Sequence, residues 1–297
     1  IMANLKELRN RISSVTSTQK ITRAMQMVAA SKLRKAQDAV ESTRPYSDKL
    51  STVVGNLSKE MEGDDNAPKL LVGNGKSQRY LLVVATSERG LCGGFNSSIT
   101  RLASQSARKL IKEGKDVKFI CIGKKGKAAL NREFGKNIIE FFDFSEVRNL
   151  GFSEGDSVAK KIISLFGDDS FDICQLYYSK FESVLTQIPT EQTIIPFGIN
   201  SDTEADEDNS NQEACYEYEP DEMDILKDLL PKNLSIQVFR ALLENFASEQ
   251  GARMSAMDNA TRNASEMIDK LKITYNRSRQ ATITSELIEI ISGAEAL

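Results

Sequence analysis

Apolar residues at the beginning of the chain recur at the spacing of an α-helix. Steps of three and four residues place the first of them on one helix face: Leu5, Leu8, Ile12 and Val15. The stripe continues less strictly through Ile21, Met25, Val28, Leu33, Ala36 and Val40. Glycine and proline are absent before Pro45. The pattern therefore predicts one long helix over residues 4–60, bent at Pro45.

The last part of the chain repeats the same alternation of three and four residues. Its positions are Ala247, Gln250, Met254, Met257, Thr261, Ala264, Ile268, Leu271, Tyr275, Ser278 and Thr282. This heptad pattern predicts a second long helix, over residues 232–293, in a left-handed coiled coil. Its seam residues are small or polar, so the coil gains little from apolar burial. We expect the two long helices to pair antiparallel, because a folded region separates them along the chain.

The apolar face of the second helix changes register near its end. The shifted positions are Ile283, Leu287, Ile290, Ala294 and Leu297. A face that has turned away can no longer meet the same partner helix. We therefore expect the last three turns to project beyond the coil and into another protein.

The middle of the chain, residues 76–200, alternates strand and helix patterns. Strands are predicted at residues 79–86, 117–122, 138–142 and 172–178, and helices at 96–113, 127–134 and 154–166. A last extended run, residues 192–197, is predicted as an edge strand, where Pro196 is tolerated. The alternation predicts a Rossmann-like α/β domain of mainly parallel strands.

An acidic segment separates this domain from the second long helix. Residues 202–224 hold eleven Asp and Glu and no Lys or Arg, which predicts an exposed loop. A short helix over residues 223–230 is expected to end at Pro231. The chain thus divides into a coiled-coil helix (1–60), the α/β domain (76–200), the loop (201–224) and a second coiled-coil helix (225–297).

The composition excludes most kinds of catalytic site. Histidine is absent, which removes the commonest general base and zinc ligand. The four cysteines, Cys92, Cys121, Cys174 and Cys215, form no CxxC pair and are interpreted as buried free thiols. No cofactor or metal is expected. Glu286 and Glu289 share a helix face but have no pocket to shift a pKa, so we interpret them as interface residues.

The glycine-rich segment SERGLCGGFN, residues 87–96, follows the first predicted strand. It lacks both the P-loop and the GxGxxG patterns, so nucleotide binding is not expected. We predict a tight turn with positive φ at Gly93 and Gly94, and a helix cap at Asn96 or Ser97.

Charge is distributed unevenly although the net charge is only −3. The basic residues of the first 36 positions are Lys6, Arg9, Arg11, Lys20, Arg23, Lys32, Arg34 and Lys35. Aromatic residues are not interleaved with them, so an acidic protein partner is favoured over nucleic acid. No apolar run reaches the roughly 18 residues of a membrane span, so direct membrane insertion is not expected.

Three segments resemble the gamma subunit of F-type ATP synthases. They read STQKITRAMQMVAASKLR at residues 17–34, SERGLCGGFN at 87–96 and NRSRQATITSELIEIISGA at 276–294. The last matches the family pattern I-T-x-E-x-x-[DE]-x-x-x-G-A. Glu88 stands where the family more often has Asp. The resemblance covers nearly the whole chain and is weakest in residues 60–76 and 145–224.

The resemblance implies a non-catalytic rotor shaft that couples proton flow to ATP synthesis. Its coil would lie in the cavity of an alpha–beta hexamer, with the α/β domain at the foot against the epsilon subunit and the membrane c-ring; the delta subunit belongs to the same complex. Hydrogen bonds to beta subunits are implied for Arg279, Gln280 and Thr284. Met25 would face an acidic loop of beta, near Arg9, Lys20 and Arg23. Further interface residues are Glu286, Leu287 and Ile290.

Alternatives stay open for these residues and for the function. Met25 could fill the coil seam, Arg279 could be a solvated helix residue, and the basic residues could serve solubility. A non-rotating coiled-coil adaptor, or an α/β enzyme with helical arms, would also account for the three-part organisation. The absence of a transit peptide favours a bacterial protein on the cytoplasmic face of the inner membrane; the matrix side of the mitochondrial inner membrane is the alternative.

Overall fold

The computed structural model describes residues 5–60, 68–147, 150–197 and 222–295. In chain order the elements are α1 (Leu5–Glu60), α2 (Lys69–Val72), β1 (Arg79–Ala85), α3 (Phe95–Lys112), β2 (Asp116–Ile122), α4 (Lys124–Phe134), a 3-10 turn (Gly135–Asn137), β3 (Ile138–Phe142), α5 (Phe152–Gly167), β4 (Ile173–Phe181), β5 (Gln187–Ile195) and α6 (Glu222–Glu295). The chain forms two compact units. We call Ile1–Ser31 with Arg253–Leu297 the helical unit, and Lys32–Ala252 the sheet unit.

The sheet unit contains one five-stranded sheet in the order β3-β2-β1-β4-β5. The first three pairings are parallel, and β5 pairs antiparallel with β4 at the edge. Each parallel connection passes through a helix, as parallel strands require. The expectation of a Rossmann-like domain with mainly parallel strands between two long helices is confirmed.

Helices cover both faces of the central strand β1, which explains its continuous apolar sequence. Leu81, Val83 and Ala85 pack with residues of α5 and α6, such as Ile162 and Val238. The alternate residues pack on the other face with α3 and α4, through Leu82, Val84, Ile99 and Leu130. The core of the sheet unit therefore has two layers, one on each side of the sheet.

The edge strand β5 starts earlier than the sequence indicated. It begins at Gln187, five residues before the predicted run, and ends at Ile195, so Pro196 lies outside it. The missed half carries polar residues and Pro189, which obscure a strand pattern. An edge position tolerates both, because one side of the strand faces no neighbour.

The prediction that Pro231 ends a short helix is wrong. Helix α6 begins at Glu222 and runs through Pro231 to Glu295. Leu226, Leu230 and Leu234 are all fully buried at a spacing of four residues, so the apolar face continues across the proline. Burial of these side chains, each contributing about 1.5–3 kcal/mol, offsets the backbone hydrogen bond that proline removes. Pro45 likewise lies inside α1, which continues to Glu60.

The turn after β1 differs in detail from the prediction. Gly93 has the expected positive φ of 57°, but Gly94 has a φ of −83° and is itself the N-cap of α3. Leu91 takes the second positive φ instead, at 64°. Asn96 does not cap the helix: its Oδ1 accepts a hydrogen bond from the backbone N–H of Ser87 at 3.0 Å. No capping hydrogen bond comes from Ser97, whose hydroxyl donates back to the Gly94 carbonyl.

Three of the cysteines are buried free thiols, as expected: Cys92, Cys121 and Cys174. Burial raises the pKa of the Cys121 thiol to about 11, so it stays protonated at neutral pH. Cys215 and the predicted acidic loop lie outside the described residues. Within residues 5–60, 68–147, 150–197 and 222–295, no helix combines the length and the apolar character needed to cross a bilayer.

Candidate subunit interface on the helical unit

The first helix of the helical unit has a stricter seam than its apolar residues suggest. Every position of an unbroken alternation of three and four residues is buried or half-buried: Leu5, Leu8, Ile12, Val15, Gln19, Thr22, Gln26 and Ala29. The prediction that Ile21 and Val28 belong to the buried stripe is wrong, since these residues are 60% and 57% exposed. Three polar residues occupy the seam there, so hydrophobicity alone could not locate it.

The seam predicted on α6 is confirmed. All of its positions within the helical unit are buried or half-buried: Met254, Met257, Thr261, Ala264, Ile268, Leu271, Tyr275, Ser278 and Thr282. Their side chains are mostly small or polar. Small residues let two helix backbones approach closely but remove little apolar area from water.

Polar contacts join the two helices and show that they run antiparallel. The Oγ1 atoms of Thr22 and Thr261 lie 2.7 Å apart, and Gln26 Nε2 donates to Asp258 Oδ1 at 3.1 Å. Further along, Arg9 Nη2 donates to the Tyr275 hydroxyl at 3.1 Å. Because residue numbers rise on α1 while they fall on α6, the expected antiparallel pairing is confirmed.

The proposed contact residues of α1 lie mainly on the outside of this pair. Lys20 and Arg23 are exposed, and Met25 is half-buried beside the seam. Arg9 is exposed but not free, because it bonds Tyr275 and lies 6.0 Å from the centre of its ring. Lys20 and Arg23 are therefore available to a partner, whereas Arg9 also serves the coil itself.

The proposed contact residues of α6 all lie on the exposed surface near its end. Arg279, Gln280, Thr284 and Glu286 are exposed, and the Thr284 hydroxyl donates to the Gln280 carbonyl at 2.9 Å. The apolar members are exposed too, Leu287 by 53% and Ile290 by 67%. The structure thus brings these residues together on one helix end, while Arg9, Lys20 and Arg23 belong to the other helix.

The end of α6 carries a cluster of exposed large apolar residues. Every residue over 283–294 is exposed, whereas the seam reaches its last half-buried position at Thr282. The large apolar residues of this tip are Ile283, Leu287, Ile288, Ile290 and Ile291, between 44% and 67% exposed. At about 100° per residue they cover almost half of the helix circumference.

Sequence reasoning missed part of this tip surface. Ile288 and Ile291 were not among the expected residues, because they fall outside the shifted heptad series. Met27 and Ile273, at 62% and 69% exposed, were missed for the same reason. The signal that could have found them is an excess of large apolar residues off the seam.

The tip of α6 presents protein side chains and helix surface, without a metal-binding cluster among its described residues. Among the described residues, no group of three or more His, Cys, Asp or Glu side chains is placed to hold a metal ion. The tip consists of exposed helix with long aliphatic side chains between polar ones. Exposed aliphatic surface of this kind is the feature on which an interface candidate rests.

Comparison with known proteins decides the family. The model of the family described as ATP synthase matches residues 4–297. The chain belongs to the ATP synthase gamma-chain family. It is 59% identical over 296 residues to the ATP synthase gamma chain of Mesorhizobium japonicum, and 57% identical over 296 residues to that of Parvibaculum lavamentivorans. Both alignments cover 100% of each chain.

Solved structures of the family share the fold. The central stalk with c-ring of Tetrahymena thermophila mitochondrial ATP synthase is similar with a TM-score of 0.61 and 25% identity, covering 81% of this chain and 99% of that one. The rotor of Euglena gracilis mitochondrial ATP synthase gives a TM-score of 0.63 at 18% identity, covering 94% and 98%. At the latter identity the likeness concerns the fold alone.

Proposed function

We propose that the chain is the central rotor shaft of a proton-translocating ATP synthase, and that it has no active site of its own. In this role rotation of a membrane c-ring turns the shaft inside a hexamer of alpha and beta subunits. Each shaft angle favours a different conformation of each beta subunit, which binds, forms and releases ATP in turn. This is allosteric coupling through contacts that differ between states.

The exposed tip of α6 is the observation that carries the proposal. Residues 283–294 leave a wide aliphatic surface in water, including Leu287 and Ile290. Such a surface is costly for a free chain, so it indicates a protein partner. A rotor has to meet several equivalent subunits without being trapped at one angle, and shallow aliphatic contact suits that requirement.

Polar groups beside the tip can supply the contacts that change with angle. Arg279, Gln280 and Thr284 are exposed on the same helix end and can bond to beta subunits. On α1, the exposed Lys20 and Arg23 can attract an acidic loop of beta, and the half-buried Met25 can add apolar contact beside the seam. Glu286 completes the polar border of the tip.

The remaining partners follow from the same role. The sheet unit contacts the epsilon subunit and the c-ring, and the delta subunit belongs to the same complex. The protein is peripheral, bound at the cytoplasmic face of a bacterial inner membrane through the complex. Its function requires no cofactor, because ATP chemistry takes place on the beta subunits.

The test replaces Arg279 by Ala in the complete ATP synthase reconstituted into vesicles. We expect at least a several-fold loss of ATP-driven proton pumping per ATP hydrolysed, because one switching contact with beta is lost. Both rates are measured on the same vesicles, from acidification and from phosphate release. The matched control is Arg277→Ala, which removes the same side chain from another face of the same helix.

Two outcomes separate the proposal from a static role. Selective uncoupling by Arg279→Ala, with Arg277→Ala close to the unmodified complex, supports a rotor contact. Equal coupling in all three complexes would contradict the role given to Arg279. Recovery of the tagged chain without alpha and beta subunits would overturn the rotor proposal as a whole.

A further inference from the structure

Strand β4 continues beyond the strand that pairs with it on one side. Its pairing with β1 ends where Val84 meets Tyr177, although β4 itself runs to Phe181. On the other side β4 stays paired with β5, where Pro189 lies opposite Ser179. The N–H and C=O of one strand residue point to the same side of the strand, and those of Ser179 bond to α6 and not to β5. Both groups need partners on that side, since Ser179 is only 2% exposed.

Two side chains of α6 satisfy both backbone groups of Ser179. The N–H of Ser179 donates to Asn245 Oδ1 at 3.0 Å, and the Ser248 hydroxyl donates to the Ser179 carbonyl at 2.9 Å. Their spacing of three residues places both on the same face of the helix. Together they replace the neighbouring strand that is missing at this point of the sheet.

The pair is buried and has no competition from water. Asn245 is 5% exposed and Ser248 is completely buried. Hydrogen bonds are directional, and their strength falls steeply when the angle or the distance changes. Two such bonds to a single backbone residue therefore define one position of the helix surface against the sheet.

Helix α6 is packed closely on either side of the pair, by a backbone approach at Gly155 and by a side-chain contact at Gly251. A Cβ atom at Gly155 of α5 would lie 2.8 Å from the Phe239 Cα atom, so α5 crosses α6 at nearly backbone contact. A Cβ at Gly251 would lie 3.4 Å from Phe181 Cε2, at the end of β4. The hydrogen-bonded pair lies between these crossings, on a stretch of about 18 Å.

Apolar packing specifies the rotation of the helix less sharply than hydrogen bonds do. The flanking residues Ala241, Leu242 and Ala247 are buried apolar side chains with no polar group to orient. The hydrophobic term depends on buried area and has no direction, so it does not by itself select one angular setting of the helix. A directional contact at the helix surface opposes such a turn.

We propose that Asn245 and Ser248 are positioning residues that fix the rotational setting and the axial position of α6 on the sheet. The proposal rests on the proposed rotor function, in which torque passes along α6. The same helix continues from the sheet unit into the helical unit. With both hydrogen bonds intact, α6 transmits torque without rotating or shifting along its axis relative to the sheet.

The first test asks whether the pair holds Ser179 in the full chain. We expect the Ser179 amide to exchange at least tenfold faster in Asn245→Ala, measured by hydrogen–deuterium exchange. The matched control is Cys174→Ala, which removes a fully buried side chain from the same strand without touching the pair. Unchanged exchange at Ser179 in Asn245→Ala would overturn the proposal at its structural step.

The second test measures torsional stiffness in the assembled ATP synthase. A bead is attached through Lys112→Cys on α3, after Cys215→Ser, with the alpha–beta hexamer fixed to a surface. During pauses at low ATP, the angular variance of the bead is expected to be at least twofold larger in Asn245→Ala/Ser248→Ala. Asn245→Asp keeps the accepting oxygen, so its variance should stay near that of the unmodified complex even if its Tm falls.

The outcomes distinguish the pair from a merely structural role. A lower Tm with unchanged variance in the double variant would overturn the positioning role. If the double variant does not fold, the two single variants are measured, and each is expected to increase the variance over Cys174→Ala. Absence of any rotation in the unmodified complex would contradict the proposed function itself and, with it, this proposal.

Discussion

The two units of the chain are stabilised in different ways. In the sheet unit, five consecutive residues of β1, Leu81 to Ala85, have no exposed surface. In the described part of the helical unit, only a few seam residues are buried: Leu8, Ala29, Met257, Ala264 and Ile268. One unit has a two-layer core, whereas the other has a single line of contacts between two helices.

This difference assigns separate tasks to the two units. A two-helix pair has no interior beyond its seam, so almost all of its other side chains face outward and are available to partners. The cost is a small hydrophobic contribution, at about 25 cal/mol for each Å² of apolar surface buried. The sheet unit buries much more apolar surface and leaves fewer side chains available to partners, so it can hold one end of α6 firmly.

The largest expected effect is in the sheet unit, at Gly123. Its φ is +91°, and an added Cβ would lie 2.3 Å from the Thr86 carbonyl oxygen. That oxygen belongs to the backbone and cannot move aside without distorting the end of β1. We expect Gly123→Ala to lower the free energy of unfolding by about 3 kcal/mol or more, measured by urea denaturation.

Gly114→Ala is the control for this prediction. Gly114 has a similar φ of +80°, but a Cβ added there would meet no atom of the described residues within 4 Å. It should therefore cost only the backbone strain, about 1–2 kcal/mol. Equal losses in the two variants would show that the close approach to Thr86 is unimportant.

The next effect concerns Asp172, which joins the start of β4 to the segment before β1. Its carboxylate accepts hydrogen bonds from Asn74 and Arg79 side chains and from the backbone N–H of Gln78 and Arg79. The Asp172 side chain is fully buried, while Arg79 is one-third exposed. We expect Asp172→Asn to cost about 2–3 kcal/mol, because the amide reverses the polarity of one acceptor atom.

The pH dependence of stability gives a second measurement on Asp172. Burial alone would raise its pKa, but the hydrogen bonds from Arg79, Asn74 and the backbone more than offset burial and hold the pKa well below its usual value. A depressed folded-state pKa contributes stability that is complete above the unfolded-state pKa, near 3.9, and is lost as the pH falls below it. Between pH 5 and 2, roughly, the unmodified chain should lose more stability than Asp172→Asn. If the unfolding free energies of the two chains changed equally with pH, the stabilising role of the ionised Asp172 carboxylate would be contradicted.

A smaller effect, of opposite sign, is expected in the helical unit. Thr22 and Thr261 bond each other in the seam, and valine has nearly the same shape as threonine. Replacing both by valine removes this contact and the hydroxyl bonds to the Gln19 and Met257 carbonyls of the same helices, and adds apolar contact in the seam. We expect the apolar contact to prevail and to raise the stability of the pair by about 0.5–1 kcal/mol. Slower hydrogen exchange of the neighbouring helix amides would show it. Faster exchange would mean that the polar contact, rather than packing, holds the helices together here.

The smallest effect is expected at the exposed contact between Arg9 and Tyr275. Tyr275→Phe removes the hydroxyl that accepts the hydrogen bond and leaves the aromatic ring. Exposed polar contacts contribute little, so the change in unfolding free energy should stay within about 0.5 kcal/mol. A loss above 1 kcal/mol, roughly, in thermal denaturation would show that this unit depends on individual surface contacts.

Helices and strands with a regular apolar pattern were predictable from the sequence, whereas positions that depart from the pattern were not. The α6 seam and the parallel strands were predictable because burial on one helix face, or on both sheet faces, leaves a regular pattern. On α1 the pattern failed between Gln19 and Gln26, where polar residues fill the seam and Ile21 lies outside it. Helix continuity through Pro231 had a local signal in the spacing of Leu226, Leu230 and Leu234, but proline is the stronger helix-ending signal when the burial of these leucines is unknown.

The exposed end of α6 was predictable from the sequence, but not all of its apolar residues were. The register shift at Ile283 located the tip, and the family resemblance supplied Arg279, Gln280 and Thr284. Ile288 and Ile291 were found only when their exposure could be measured. The hydrogen bond from the Ser179 N–H to Asn245 was not predictable, because it depends on where β1 ends relative to β4.

The most direct test of the account compares hydrogen exchange over residues 283–294 in the isolated chain and in the assembled ATP synthase. These residues are exposed in the chain itself. If the tip is the surface that meets the alpha–beta hexamer, assembly should slow the exchange of its amides by at least tenfold, while the sheet core changes little. Equal exchange at the tip in both states would contradict the central claim that this exposed helix end is the working surface of the shaft.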